Sequence, residues 1–353
     1  QFGSRQKPRA DIALTPYDWD GPPMRRVLGN AVHALRGQSA PALPTTRKVA
    51  GARSAGTLVP VVTDGMGSSA TGALRRAGLA VELVQCLDDN YCPVIRHESS
   101  GTTIITDTPE AGAIRAALRA RMWEPTHILN THHHDDHVGG NLQLKEAYPG
   151  VSIVGPGDRV YEYPGPYPPA GPELETIPGV DIVVRECDDL SVGPLRVRVL
   201  EVGGHTDGHV AYFFLDVPLL LAGDSLFTMG CGRVFTGDFW RMQASLEKLR
   251  QLPQDTVVYS AHEYTASNVK FALQVEPQNQ ALQERAALVA KLRSAGLPTV
   301  PTLLAHELET NPMLRWDAPA IQKVTGESDP KAVFTAVRRW KDTGTAPVIA
   351  SKL

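Results

Sequence analysis

Four of the seven residues in Thr131-His132-His133-His134-Asp135-Asp136-His137 stand at the spacing a pair of metal ions requires, which ties this loop to the end of a strand. The run follows an apolar stretch, His127-Ile128-Leu129-Asn130. It precedes Gly139-Gly140-Asn141, which reads as a turn into a helix ending near Tyr148. Histidines two apart at a strand exit point the same way across a tight loop. His132 and His134 are therefore expected on one cation, and Asp136 and His137 on a second. A purification tag would be terminal and uninterrupted, and this run is neither.

A dinuclear site needs further donors, and the chain offers them at other strand ends. Gly203-Gly204-His205-Thr206-Asp207-Gly208-His209 lies between two strand-like runs, Leu195 to Val202 and Val210 to Leu215, and places His205 on a connecting loop that completes the first set. Leu219-Leu220-Leu221-Ala222-Gly223-Asp224 is a buried-strand pattern ending in a carboxylate, and Asp224 is expected to bridge the two cations. Val257-Val258-Tyr259-Ser260-Ala261-His262 ends the same way and gives the second set its last donor. His133 is expected to point away, and His209 to pack behind the ligands. His33, His97, His127 and His306 read as ordinary. Asp107, closing the strand Thr103 to Thr106, either fixes the tautomer of a ligand histidine or is a turn residue.

These motifs resemble the metallo-β-lactamase superfamily, whose T-H-x-H-x-D-H pattern is matched at Thr131 to His137. Gly223-Asp224-Ser225-Leu226-Phe227, Gly230-Cys231-Gly232-Arg233 and His262-Glu263-Tyr264-Thr265 are similar to glyoxalase II, the hydroxyacylglutathione hydrolases. So are Asn311-Pro312-Met313-Leu314-Arg315 and Ala336 to Asp342. The resemblance runs from about Val81 to about Asp342. It implies metal ligands at His132, His134, Asp136, His137, His205, Asp224 and His262, with Asp136 and Asp224 orienting the reaction, and glutathione contacts at Arg233, Tyr264, Arg338 and Lys341. Arg and Lys at a pocket mouth suit the two carboxylates of glutathione. Departures from the family pattern are Val202-Gly203 for Thr-Pro, which should loosen the His205 loop, Phe235 for a Tyr, and Ala261 for a Gly. Between Tyr161 and Gly179 the chain is longer than the resemblance implies. That stretch is rich in Pro and Gly, so it reads as a surface loop.

Strands alternate with helices up to Glu263. This order suits an α/β (α+β) fold of two packed sheets with helices on both outer faces, the αββα sandwich that the resemblance implies. From Tyr264 no strand is evident, and Ala281 to Ser294 and Lys331 to Lys341 read as helices. The expected division is an extension over residues 1–80, a catalytic domain over 81–263 and a smaller helical, glutathione-binding domain over 264–353. A net charge of −3 argues against a nucleic-acid partner, and no apolar run has the length of a membrane span. A monomer is expected, with its four cysteines as reduced thiols.

From Gly21 to Thr63 there is no Asp or Glu. Met24, Val27, Leu28, Ala31 and Leu35 form one helical stripe beside Arg25 and Arg26. This reads as a mitochondrial or plastid presequence or as a disordered basic extension. Ser351-Lys352-Leu353 matches a peroxisomal address, so peroxisomal and cytosolic locations stay open. The function implied is hydrolysis of S-(2-hydroxyacyl)glutathione, such as S-D-lactoylglutathione, to glutathione and D-lactate by a hydroxide bridging two divalent ions, zinc, iron or manganese. The alternatives are a mononuclear-iron persulfide dioxygenase, another hydrolase of the superfamily, or a binding module that keeps the fold without the reaction.

Overall fold

The computed structural model describes residues 58–59, 68–162 and 172–347. The basic stretch around Met24 and the terminal Ser351-Lys352-Leu353 lie outside them. Strands β1 (Leu58–Val59), β2 (Leu79–Cys86), β3 (Asn90–His97), β4 (Thr103–Thr106), β5 (His127–Leu129) and β6 (Ser152–Pro156) lie side by side in that order. The first four pair antiparallel, and β5 and β6 add in parallel. A separate hairpin of β7 (Arg159–Glu162) and β8 (Pro172–Glu175) follows, before β9 (Ile182–Val184) returns to the far edge beside β6. The second sheet runs β10 (Asp189–Val192), β11 (Leu195–Glu201), β12 (Val210–Phe214), β13 (Leu219–Gly223), then β16 (Val257–Ser260) and β17 (Thr302–Leu303). A short ribbon of β14 (Leu226–Phe227) and β15 (Gly230–Cys231) follows the C-terminal end of β13.

The short apolar runs are buried on both faces, as strands covered on two sides must be. In the first sheet Leu83, Ile104, Leu129 and Val154 face the other sheet, while their neighbours Val84, Ile105, Ile128 and Ile153 face helix α2 (Ala111–Arg121). In the second sheet Leu219, Leu221 and Tyr259 enter the shared core. Leu220, Ala222 and Val258 turn outward to α5 (Phe239–Arg250) and α10 (Pro330–Thr343), through Met242, Leu246, Phe334 and Val337. The result is the expected αββα sandwich. Helix α2 crosses from β4 to the parallel β5, and α5 from β13 to the parallel β16, so β5, β13 and β16 each open a loop at their C-terminal ends, where such sheets bind ligands.

Three expectations change. The extension drawn to residue 80 ends sooner, because β2 begins at Leu79 and Leu74, in helix α1 (Ser68–Arg76), is buried in the central core. The region after Tyr264 is not strandless: Thr302–Leu303 pairs with Val257–Val258, and two residues are too few to show a period. Helix α10 of that helical region packs on the outer face of the second sheet. The Pro-rich stretch also contains strand, with Tyr161 opposite Glu173 in the β7–β8 pair.

Tyr212 joins the two sheets behind the His-rich loop. It is fully buried, and its hydroxyl donates to the carbonyl of Asn130 at 2.7 Å. Replacing it with Phe leaves that carbonyl without its donor, so Tyr212→Phe should lower stability by about 1–3 kcal/mol in urea unfolding. An unchanged midpoint would show the bond to be dispensable.

Candidate metal centre

The His-rich loop leaves β5 and turns at once into a short helix, α3 (Asp135–Val138), which swings Asp136 and His137 away from His132 and His134. A buried polar lattice fixes it from behind. Asn130 donates to the carbonyl of His137 at 3.0 Å, Asn141 donates to Asn130 at 2.8 Å, and Thr108 donates to Asn141 at 2.6 Å. Asp107 accepts the amide of Thr131 at 2.8 Å and its hydroxyl at 3.0 Å. Gly223 sits at φ +51, where a Cβ would lie 2.5 Å from the Thr131 hydroxyl, so β13 reaches the loop only with glycine there.

All seven expected ligands converge. His132, His134 and His205 form one cluster, Asp136, His137 and His262 another, and Asp224 joins His132 and His137 in a third grouping between them. In the first, Nδ1 of His134 lies 2.9 Å from Nε2 of His132 and 3.1 Å from Nε2 of His205. Asp224 turns one oxygen to His205 Nε2 at 3.4 Å and the other to His137 and His262 at 3.5 and 3.4 Å. Asp136 lies 3.4 Å from His262. His137 Nε2 and Asp224 Oδ1 are buried without a hydrogen-bond partner among the described residues. Buried polar atoms are rarely left so, and a cation between them satisfies both. The donor set, imidazole with carboxylate, fits a metal site.

Oxygen atoms behind the rings select which nitrogen faces the centre. Nδ1 of His137 donates to Asp107 at 2.9 Å, of His262 to Asp89 at 2.8 Å, of His205 to the Arg233 carbonyl at 2.8 Å, and of His132 to the Thr131 hydroxyl at 3.0 Å. Each Nε2 is thereby the nitrogen turned toward the centre. Asp107 thus takes the tautomer-fixing role left open for it. His209 packs behind the ligands as expected, stacked on His132 at 4.6 Å and accepting the Asp224 amide at 3.1 Å.

Sequence reasoning missed Asp89 and Asn90. Asp89 closes the β2–β3 turn and Asn90 opens β3, places where Asp and Asn are ordinary, and nothing local marks them. The turn is zipped onto the strand exit of His262: Tyr91 donates to the Ala261 carbonyl at 2.6 Å, and Glu263 to that of Asp89 at 2.9 Å. Asn90 then donates to the Asp136 carboxylate at 3.1 Å. The loosening expected from Val202-Gly203 does not occur. Ser245 donates to the Gly203 carbonyl and Thr236 to that of Gly204, both at 2.7 Å.

The electrostatics differ between clusters. Burial, above all, lowers the pKa of His132, His134 and His205, that of His134 to about 3. Burial also opposes charge on His137 and His262, but the carboxylate of Asp224, with Asp107 for the first and Asp136 for the second, overrides it. His137 is raised, and His262 reaches about 11. Burial would raise Asp136 and Asp224; the facing imidazoles instead hold both well below the usual carboxylate range.

The centre floors a cleft of about 480 Å³ that Phe227, Arg233, Phe235 and Tyr264 also line. Tyr264 stacks on His262 at 4.6 Å, and Arg233 lies over Phe235 at 5.9 Å. Arg338 departs from the expectation of a cation at the mouth. Only 4% exposed, it donates to the Cys231 carbonyl at 3.2 Å and pairs with Asp342 at 2.6 Å. Lys341 lies over Phe271, and burial beside Arg338 lowers it to about 8. Neither lines the cleft. A larger depression, about 850 Å³, opens beside α5, but its Arg250, Glu247 and Asp317 pair with one another.

The two clusters should load with different proton counts. At about pH 7.5 the first is already neutral, whereas His262, raised to about 11, carries a proton that a cation must displace. Zinc titration in weak buffer should therefore release protons mainly during filling of the Asp136-His137-His262 cluster. Equal release at both steps would contradict this.

A family model described as the metallo-beta-lactamase superfamily matches residues 90–262, and one described as the hydroxyacylglutathione hydrolase C-terminus matches residues 263–344. The chain is 44% identical over 267 residues to a hydroxyacylglutathione hydrolase of Methylococcus capsulatus (strain Bath), covering 75% of this chain and 98% of that protein. It is 48% identical over 265 residues to one of Rhodopseudomonas palustris (strain BisA53), covering 74% and 98%. The crystal structure of BLEG-1 B3 metallo-beta-lactamase superposes with a TM-score of 0.48 at 20% identity, covering 67% of this chain and 100% of that one.

Proposed function

The chain belongs to the hydroxyacylglutathione hydrolase family, and from that premise we propose how its own residues hydrolyse the thioester of a hydroxyacylglutathione to glutathione and a hydroxy acid. The observation that carries the reading is the convergence of seven His and Asp side chains into two clusters with Asp224 between them. Two divalent cations held there supply a water acidic enough to ionise near neutral pH and positive charge for the carbonyl oxygen. His132, His134 and His205 would hold one and Asp136, His137 and His262 the other, with Asp224 shared. The donor set accepts zinc, iron or manganese.

The protein's other residues bind and orient. Arg233 and Tyr264 line the cleft, and a guanidinium there pairs bidentately with a glutathione carboxylate. Lys341 adds positive charge from α10, and Arg338 acts through the Cys231 backbone and Asp342 that it holds. Phe235 and Phe227 line the cleft beside the centre, and their apolar rings suit the acyl group of the substrate. The carboxylates of Asp136 and Asp224, held ionised, position and do not donate protons. A thiolate is a tolerable leaving group, so no dedicated general acid is required. S-D-lactoylglutathione, giving D-lactate, is the substrate we propose, with a monomer as the working unit. The basic stretch around Met24 supports delivery to an organelle.

Two variants test the assignment with the full chain. Asp224→Ala should lose metal and turnover of S-D-lactoylglutathione together; full activity with full metal would refute its role. Arg233→Ala should raise KM about tenfold, about 1.4 kcal/mol, with kcat little changed, since it removes binding shared by ground and transition states. A fall in kcat alone would place Arg233 in the chemistry instead.

A further inference from the structure

The β7–β8 hairpin, in the stretch longer than the resemblance implies, grips the loop that carries His205. The Glu175 carboxylate is only 3% exposed and accepts two consecutive backbone amides of that loop, Asp207 at 2.9 Å and Gly208 at 2.5 Å. The same Oε2 lies 3.9 Å from Nδ1 of His133, between His132 and His134. One carboxylate therefore touches both loops that supply the first cluster.

The rest of the hairpin holds the same loop from its sides. Arg159 on β7 pairs with Glu201, at the end of β11, at 2.7 Å and with Asp207 at 3.4 Å. Tyr161 donates its hydroxyl to the Thr236 carbonyl at 3.2 Å, and the Thr236 hydroxyl in turn donates to Gly204. Gly208 is shaped to this contact: a Cβ there would stand 2.8 Å from Glu175 Oε2 and 3.3 Å from Arg159 Cδ. Charge-assisted bonds to adjacent amides fix a loop's path more firmly than neutral ones. What they fix here is the direction of His205 Nε2.

We propose that Glu175 is a positioning residue that presets the His205 loop, so the inserted hairpin sets the affinity of the first cluster. The inference rests on the two-cation reading above, but its structural half, the clamped loop, is measurable without any cation. Full-length Glu175→Ala and Glu175→Gln would be compared with the parent protein in three ways: amide hydrogen exchange of residues 203–209 in the metal-free protein, zinc affinity of each cluster by chelator competition, and the electronic spectrum of the cobalt-loaded protein. Glu175→Ala should speed exchange in 203–209 about tenfold or more and weaken the His132-His134-His205 cluster about ten- to a hundredfold. It should also alter the cobalt spectrum and leave the other cluster unchanged. Glu175→Gln keeps one acceptor and should fall between, and it carries the test if the Ala variant does not fold. Unchanged exchange would overturn the proposal, as would equal weakening of both clusters with faster exchange throughout the chain. A parent protein that binds fewer than two cations would instead refute the two-cation reading and leave the exchange result to judge Glu175.

Discussion

An imidazole is held with one nitrogen toward a centre when its other nitrogen donates its N–H in a hydrogen bond behind the ring, and four of the clustered histidines here have an oxygen at Nδ1 to accept it. The rest of the structure supplies those oxygens. Asp107 comes from the end of β4, Asp89 from the β2–β3 turn, the Arg233 carbonyl from beyond the β14–β15 ribbon, and the Thr131 hydroxyl from the loop itself. Without both sheets in register, the rings would be free to rotate and the centre would lose its geometry. His134 alone turns Nδ1 inward, toward His132 and His205.

The two clusters are built from the same residue types yet prepared differently. The first is neutral through burial, so it resembles a preformed socket of lone pairs. The second faces its histidines with Asp136 and Asp224, which raise both, and raise His262 far enough that a proton occupies the place of a cation. Asp224 belongs to both, and its amide is in turn fixed by His209. The helical region beyond Tyr264 reinforces the cleft wall. Glu307, fully buried, accepts the Met229 amide at 2.7 Å, and Asn311 donates to the carbonyls of Phe227 and Gly230. The Asn-Pro-Met-Leu-Arg motif therefore anchors the ribbon that leads to Arg233.

The ligands were legible because each follows an apolar run long enough to read as a strand, and metal chemistry restricts the residue types allowed at such ends. The sandwich was legible for a related reason: runs such as Leu219 to Ala222 are apolar on both faces, which requires cover on both sides. What failed to show depends on tertiary placement. Asp89 and Asn90 look like any turn until the turn is docked on His262. Glu175 sits in a stretch whose Pro and Gly content hides a strand pair. Arg338 reads as a cation on an exposed helix face, yet α10 buries that face against β15, turning Arg338 from a ligand contact into a brace. Thr302–Leu303 is too short to carry a periodic signal.

Seven side chains on four chain segments converge on two cation sites that share Asp224. Anomalous diffraction from crystals grown with zinc tests it most directly. Two strong peaks are expected, one among His132, His134 and His205 and one among Asp136, His137 and His262, with Asp224 between them. A single peak, or peaks that leave Asp224 or His262 uncoordinated, would contradict it.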